Sequence, residues 1–191
     1  MNERAPGERD DAALVAAALD GDNAAFSALM TRHKGGLYRF VRRYVGDADE
    51  ALDIVQEAFV ACWGKLDAFD RVRPFAVWLR RIALNKCRDW SRRRRVRRFF
   101  FGATSIEPFA GKLGAVASTA ETSLEARLAA LDSAIAALPA ALKEPLLLIL
   151  FEQMTHEDAA HSLNISTKAV ETRVYRAKQR LRASLLTGEE A

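Results

Sequence analysis

The chain has little of what catalysis, secretion or metal binding would require. Its 191 residues include only two cysteines and three histidines. Cys62 and Cys87 make neither a disulfide framework nor a metal knuckle, and each falls among apolar helical positions, so buried free thiols in a reducing compartment are expected. His156-Glu157 opens like a zinc-protease motif, but the next histidine, His161, lies five residues on instead of four. Five residues turn a helix by roughly 140°, so the two imidazoles diverge. His33, His156 and His161 are read as surface or cap residues. There is no phosphate-cradling glycine loop, no nucleophile elbow and no evident acid/base pair of carboxylates, so no catalytic residue, metal or cofactor is expected. The N-terminus is polar and charged, with no basic stretch leading into an apolar core, and no apolar run approaches membrane-spanning length. A cytoplasmic protein is expected.

What is present is an uneven distribution of charge. Half of the residues are hydrophobic, enough for real cores, and the formal net charge is only +4. Yet Arg71 to Arg98 carries twelve Lys or Arg residues against the single acid Asp89, with Phe75, Trp78, Asn85 and Trp90 interleaved. The preceding stretch, Asp47 to Asp70, has seven acids and one base, Lys65. Basic charge interleaved with aromatics fits nucleic acid, and the acidic neighbour fits a protein partner.

Periodicity predicts an all-α protein of two small helical domains joined by a flexible linker. The boundaries are a disordered leader over 1–10, a first domain over 11–97, a linker over 98–121, a second domain over 122–186 and a tail over 187–191. Asp22 and Asp47 are placed to cap helices. Gly35-Gly36 are candidates to kink the helix after Asp22. In the helix after Asp47, Ile54, Val55, Ala58, Phe59, Cys62 and Trp63 recur as a core face, with Asp53, Gln56, Glu57 and Val60 on a neighbouring stripe. Asp67, Asp70 and Pro74 mark a loop, Pro74 suiting the first turn of the next helix. Along that helix Arg81, Arg88, Arg92 and Arg95 form a basic stripe able to follow a phosphate backbone. The linker holds scattered Gly, Pro and Ser and begins with the apolar patch Phe99 to Ala103. Thr122 with Glu125 makes a capping box, and Leu124, Leu128, Leu131, Ile135 and Leu138 then descend one face.

The most specific local signal is Thr155 to Leu186. Thr155 caps a short helix, Asn164 suits a left-handed turn residue, and Ser166 or Thr167 caps a second, basic helix. Ala159, Ala160, Leu163, Ile165, Val170 and Val174 would brace the pair. This is helix-turn-helix patterning, with a second helix basic enough for the major groove.

These residues resemble a known family. Ala51-Leu52-Asp53-Ile54-Val55-Gln56-Glu57-Ala58-Phe59, ending in Trp63, resembles the core-binding motif of bacterial RNA polymerase sigma factors. Phe75, Trp78 to Asn85, Asp89 and the arginine run are similar to their promoter-melting segment. Leu138-Pro139 and the run Val170 to Ala177 are similar to their C-terminal domain. Two domains and a linker, without others, resemble the extracytoplasmic-function (ECF) subgroup of the sigma-70 family. The resemblance implies a factor that binds core RNA polymerase, directs it to promoters and assists DNA melting, under control of an anti-sigma factor. It implies that Asp53, Gln56, Glu57 and Val60 meet the clamp helices of the largest subunit, with the flap as a further polymerase contact. It implies −10 contacts by Asp67, Phe69, Arg71, Arg73, Trp78, Arg81, Asn85, Arg88 and Arg92. Asn85 and the Asp67 to Arg73 loop are suited to unpaired bases, and the arginines to phosphates. Trp78 fits a stacking platform, but its core spacing favours packing. The −35 contacts implied are Lys168, Glu171, Thr172, Arg173, Tyr175, Arg176 and Lys178.

The chain departs from the family pattern at three places. Glu171 stands where Lys or Arg is common, Pro145 falls inside a helix and should remove a hydrogen bond and kink it, and Gln153-Met154 replaces a glycine-containing turn. Two other readings remain open from sequence. One is a sigma mimic that sequesters an anti-sigma factor, and the other is a two-domain helix-turn-helix regulator. No small-molecule substrate or membrane insertion is expected; attachment at the inner membrane would come through the anti-sigma factor.

Overall fold

The computed structural model describes residues 10–101 and 120–187. Among them the regular structure is helical: α1 (Asp11–Leu19), α2 (Asn23–Val45), α3 (Ala48–Trp63), a single tight turn at Leu66–Ala68, α4 (Phe75–Phe101), α5 (Ala120–Ala137), α6 (Ala140–Leu150), α7 (His156–Leu163) and α8 (Thr167–Thr187). None of these helices is long and apolar enough to cross a membrane.

Side-chain caps set the starts. Asp10, Asp22 and Asp47 accept from backbone N–H groups of the first turns of α1, α2 and α3, satisfying donors that a helix start leaves orphaned. Thr155 does the same for α7, and Ser166 Oγ accepts from Ala169 N to open α8. Pro74 lies one residue before α4, its carbonyl accepting from Val77 and Trp78. α2 ends at Gly46, whose φ of 82° is a left-handed cap that glycine adopts without penalty.

α1 to α4 pack as one bundle, in which α2 lies against α1, α3 and α4. Its core contains Leu29, Leu37, Phe40, Val41, Ile54, Val55, Ala58, Leu79, Ala83 and Leu84, all essentially inaccessible. Cys62 and Cys87 are free, buried thiols there, and burial pushes Cys62 up to about 12. A second bundle packs α6 and α5 on α8, with α7 against α6 and α8, around Ile135, Leu146, Leu147, Leu148, Val170 and Ala177. The two bundles touch, α2 lying against α5 and α6.

Several local expectations are corrected. Gly35-Gly36 does not break α2, which runs unbroken to Val45. A Cβ on Gly36 would sit 2.9 Å from Arg80 Nη2, so the glycine serves the close approach of a guanidinium. α4 continues through Phe101, taking the first aromatics of the supposed linker into the helix. α5 starts at Ala120, so Thr122 lies inside the helix and not at its cap. Trp63, assigned to the core face, is 44% exposed and meets Phe26 edge-on, and Leu128 is 53% exposed. α6 continues through Pro145, which as expected has no N–H to donate to the helix. The apolar patch beyond Phe101 lies outside the described residues.

The turn at Gln153 explains the missing glycine. Gln153 has a φ of 51°, a left-handed conformation that costs a side chain about 1 kcal/mol. Gln153→Gly should therefore raise stability by roughly 0.5–1 kcal/mol, seen as a thermal midpoint higher by a few degrees in calorimetry.

Candidate polymerase and promoter interfaces

Three surfaces follow from the helices. On α3 the buried residues Ala51, Ile54, Val55, Ala58, Phe59 and Cys62 form one stripe, which leaves Leu52, Asp53, Gln56 and Val60 outward. Val60 is 74% exposed, an apolar side chain with its face uncovered beside polar neighbours. Asp53 makes no ion pair among the described residues, but Glu57 does: its carboxylate lies 3.3 Å from Lys86 Nζ and 3.8 Å from Arg93. Glu50 likewise accepts from Trp90 Nε1 at 2.7 Å and stands 4.0 Å from Arg97. The acidic and basic segments are thus partners of each other across the α3–α4 contact, so only part of the acid stripe is free for a protein.

On the second surface, the loop before α4 is pinned by its aromatic residue. Phe69 is buried, with its ring 5.5 Å from Phe75 and 5.2 Å from Trp78. Phe69 therefore anchors the loop and does not present its ring to solvent. Trp78 is half-buried in the same cluster, as its core spacing favours. Asp67 accepts from Ala68 N and Asp70 from Val72 N, two short turns that present Arg71, Val72 and Arg73 outward. Arg81 and Asn85 are exposed along α4, and Arg92 is exposed and paired with Asp89. Arg88 stands apart from its stripe. Its Nη1 donates to Asn85 Oδ1 at 3.3 Å, while its Nε and Nη2 donate to Glu144 at 2.9 and 2.6 Å. Those bonds raise the already high pKa of its guanidinium.

The third surface is α8. Val170, Val174, Ala177 and Leu181 face inward at intervals of four, three and four, so Lys168, Glu171, Thr172 and Tyr175 face out with Arg176 and Lys178 beside them. Arg173 is half-buried. Asn164, with φ 54° and ψ 49°, makes the turn from α7 to α8. Glu171 Oε2 lies 3.1 Å from Lys168 Nζ, and Tyr175 OH accepts from Gln179 at 3.1 Å. Glu171 therefore partly neutralises the first base of the helix.

The sequence gave no notice of a fourth cluster, buried between the bundles. Lys143 Nζ donates to Tyr44 O at 2.8 Å and to Ala136 O, carbonyls in the last turns of α2 and α5. Burial pushes its ammonium down from 10.5 to about 8, and Glu144 opposes that shift. Tyr44 OH donates to Glu144 at 3.2 Å, and Arg80 Nε donates to Glu152. Burial raises the Glu152 carboxyl in spite of Arg80, Arg39 and Arg43. At the rim Arg43 Nε meets Asp132 at 3.3 Å and its guanidinium lies 4.2 Å from the Phe151 ring centre. The only hint in the sequence is two charged residues, Lys143-Glu144, at the edge of an apolar run; Tyr44, which both of them meet, lies about a hundred residues away.

Comparisons with known proteins agree across the chain. Sigma-70 region 2 matches residues 29–97, and Sigma-70 region 4 matches residues 128–181. The RNA polymerase sigma factor NccH of Alcaligenes xylosoxydans xylosoxydans is 39% identical over 94% of this chain and 96% of its own. The RNA polymerase sigma factor CnrH of Cupriavidus metallidurans is 39% identical over 93% of this chain and 95% of its own. A solved structure of CnrH in complex with the cytosolic domain of CnrY superposes with a TM-score of 0.67 at 35% identity, covering 93% of this chain and 97% of that one. The sigma factor RpoE of Bartonella quintana, in complex with the anti-sigma factor NepR, gives a TM-score of 0.68 at 25% identity, covering 84% of this chain and 96% of that one.

Lys143→Met would leave two buried carbonyls unpaired, at about 1–3 kcal/mol each less what the buried charge itself costs. A net loss of about 2 kcal/mol should lower the thermal midpoint by about 4–8 °C, measurable by circular dichroism.

Proposed function

The chain belongs to the extracytoplasmic-function group of the sigma-70 family, and from that premise we propose which of its residues carry each step. As a sigma factor it binds core RNA polymerase, directs it to promoters and assists strand opening. No covalent chemistry is assigned to it. The observation that carries the residue assignment is the separation of three differently built surfaces on one chain: a polar-apolar stripe on α3, a loop and basic stripe around α4, and a polar outer face on α8.

Asp53, Gln56 and Val60 dock on polymerase, with Glu57 contributing at the edge after partial release from Lys86. An exposed valine framed by an acid and an amide suits a basic helical partner better than it suits water. The loop Asp67 to Arg73 and Asn85 receive unpaired −10 bases. Arg81, Arg88 and Arg92 hold the adjacent phosphates, whose neutralisation releases counterions. Phe69 and Trp78 shape this site from behind, through the cluster with Phe75. In the second domain Thr172, Tyr175 and Arg176 read the −35 element, with Lys168 and Glu171 at its edge and Arg173 and Lys178 on phosphates. The first domain comprises α1 to α4 and the second α5 to α8. The factor works in the cytoplasm and at the nucleoid, held inactive by an anti-sigma protein, as the complexes of CnrH and RpoE with CnrY and NepR suggest.

The exposed Arg71, Arg81 and Asn85 around α4 favour this reading over a mimic that only sequesters an anti-sigma factor, which has no need of them. Run-off transcription with purified core polymerase on a genomic fragment library should give promoter-specific transcripts that depend on this protein. Absence of such transcripts together with absence of a core complex would sink the reading.

Asn85→Ala should slow open-complex formation about tenfold or more, measured by permanganate footprinting, while core affinity stays within about twofold. Asp53→Ala with Val60→Ser should do the reverse, weakening core binding about tenfold in a competition assay with little effect on melting at saturating factor.

A further inference from the structure

Part of the arginine face of α4 is covered, and the groups covering it are carboxylates. Glu144 takes Arg88 through two parallel N–H donors at 2.9 and 2.6 Å, the fork by which a guanidinium also grips a phosphate. Arg88 holds Asn85 Oδ1 with its remaining arm at 3.3 Å, so the same bridge restrains the amide assigned to unpaired bases. Eight residues earlier, two turns along the same side of the helix, Arg80 is held by Glu152. Both acids belong to the C-terminal bundle, one on α6 and one just beyond its end.

This closed packing cannot be the promoter-bound form. Elements centred near −10 and −35 lie roughly 25 base pairs apart, about 85 Å at 3.4 Å per step. A compact chain of this length has a radius of gyration of about 16 Å. With α2 lying on α5 and α6, the two DNA-reading surfaces are too close to reach both elements. The eighteen residues between Phe101 and Ala120 can extend to about 60 Å, so the covalent connection permits separation.

The contact is also built to be broken. Beside its apolar contact it holds two charge pairs, Arg88 with Glu144 and Arg80 with Glu152, and Arg80 Nη1 is buried with no hydrogen-bond partner among the described residues. Desolvating two arginines and two carboxylates offsets much of their mutual attraction, so such a clasp adds little net stability. Gly46 keeps the bundles close: a Cβ there would stand 3.0 Å from Ala136 Cβ.

We propose that Glu144 stands in for promoter phosphate on Arg88, with the buried Arg80–Glu152 pair helping to latch the C-terminal domain onto α4 in the free protein, so that DNA must displace Glu144. The proposal rests on the assignment of Arg88 and Asn85 to DNA made above. It makes the second domain a competitor for the first domain's DNA site until polymerase or a partner separates them.

The test uses the full chain carrying Glu144→Gln with Glu152→Gln, and Asp132→Asn as a milder change at the rim. Circular dichroism establishes that each variant is folded. Small-angle scattering of the free protein should show a larger radius of gyration for the double variant and a smaller increase for Asp132→Asn. Without polymerase, the double variant should bind a mixed-sequence fork-junction DNA about tenfold tighter than the parent, corresponding to a competent open form populated about a tenth of the time. Asp20→Asn with Asp49→Asn removes the same charge elsewhere and should change affinity less than about twofold. Adding Arg88→Ala to the double variant should abolish the gain. Unchanged scattering, expansion without tighter binding, an equal gain in the charge control, or a gain that survives Arg88→Ala would each overturn the latch. Run-off transcription is scored separately: its success beside a failed latch leaves the sigma assignment standing, and its failure removes that assignment whatever the scattering shows.

Discussion

Lys143 and Glu144 are neighbours on α6 and face one buried junction, where the C-terminal ends of α2 and α5 converge. Helix ends carry unpaired carbonyls and partial negative charge, which a cation can satisfy. Lys143 does so for two helices from two domains at once, donating to Tyr44 O and Ala136 O. Glu144 balances it and accepts from Tyr44 and Arg88. Other charges couple the domains beside this pair: Arg80 to Glu152, and Arg43 to Asp132 and Phe151. Burial of an ammonium and a carboxylate together makes the junction specific in geometry while contributing little net free energy, because each gain is set against desolvation.

The same logic of paired opposites governs α3 and α4. Their charges looked like signals for two separate external partners. In the fold, Glu57 and Glu50 take up Lys86, Arg93, Arg97 and the Trp90 indole, holding the two helices in register. What remains for partners is smaller and better defined: Asp53, Gln56 and Val60 on one side, and Arg81, Asn85 and the loop tip at Arg71 to Arg73 on the other. Exposed ion pairs of this kind are each worth at most about 1 kcal/mol, so exchanging one for a contact with polymerase or DNA costs little.

A factor that reads two distant DNA elements with two small domains needs those domains independent when bound and harmless when free. The buried apolar residues run through both bundles as one contiguous cluster, from around Phe40 to around Leu147. Separating the bundles must therefore break apolar contact as well as the charged junction at Lys143 and Glu144. Solved relatives of the same two-domain build were caught in complexes, CnrH with the cytosolic domain of CnrY and RpoE with the anti-sigma factor NepR.

The local rules were legible in the residues. Asp22, Asp47, Thr155 and Asn164 start or stop helices where their chemistry predicts, since a cap depends on atoms within four residues of it. The helix-turn-helix and the buried thiols were legible for the same reason: both follow from periodicity. Trp63 and Leu128 were misassigned because spacing names a helix face but not what covers it. The continuation of α4 to Phe101 was missed because helix ends lacking a strong cap are weakly specified. Phe69 could be placed behind the loop only once Phe75 and Trp78 were seen to close on it. The clasp at Lys143 and Glu144 was beyond sequence altogether. Apart from the nearby Ala136 carbonyl, its partners are the Tyr44 carbonyl and the side chains of Tyr44 and Arg88, 56 to 100 positions away. Sequence determined the helices, their caps and the kind of surface each could offer; only the tertiary packing decided which charges face a partner and which face each other, because electrostatic pairing depends on distance in space and not along the chain.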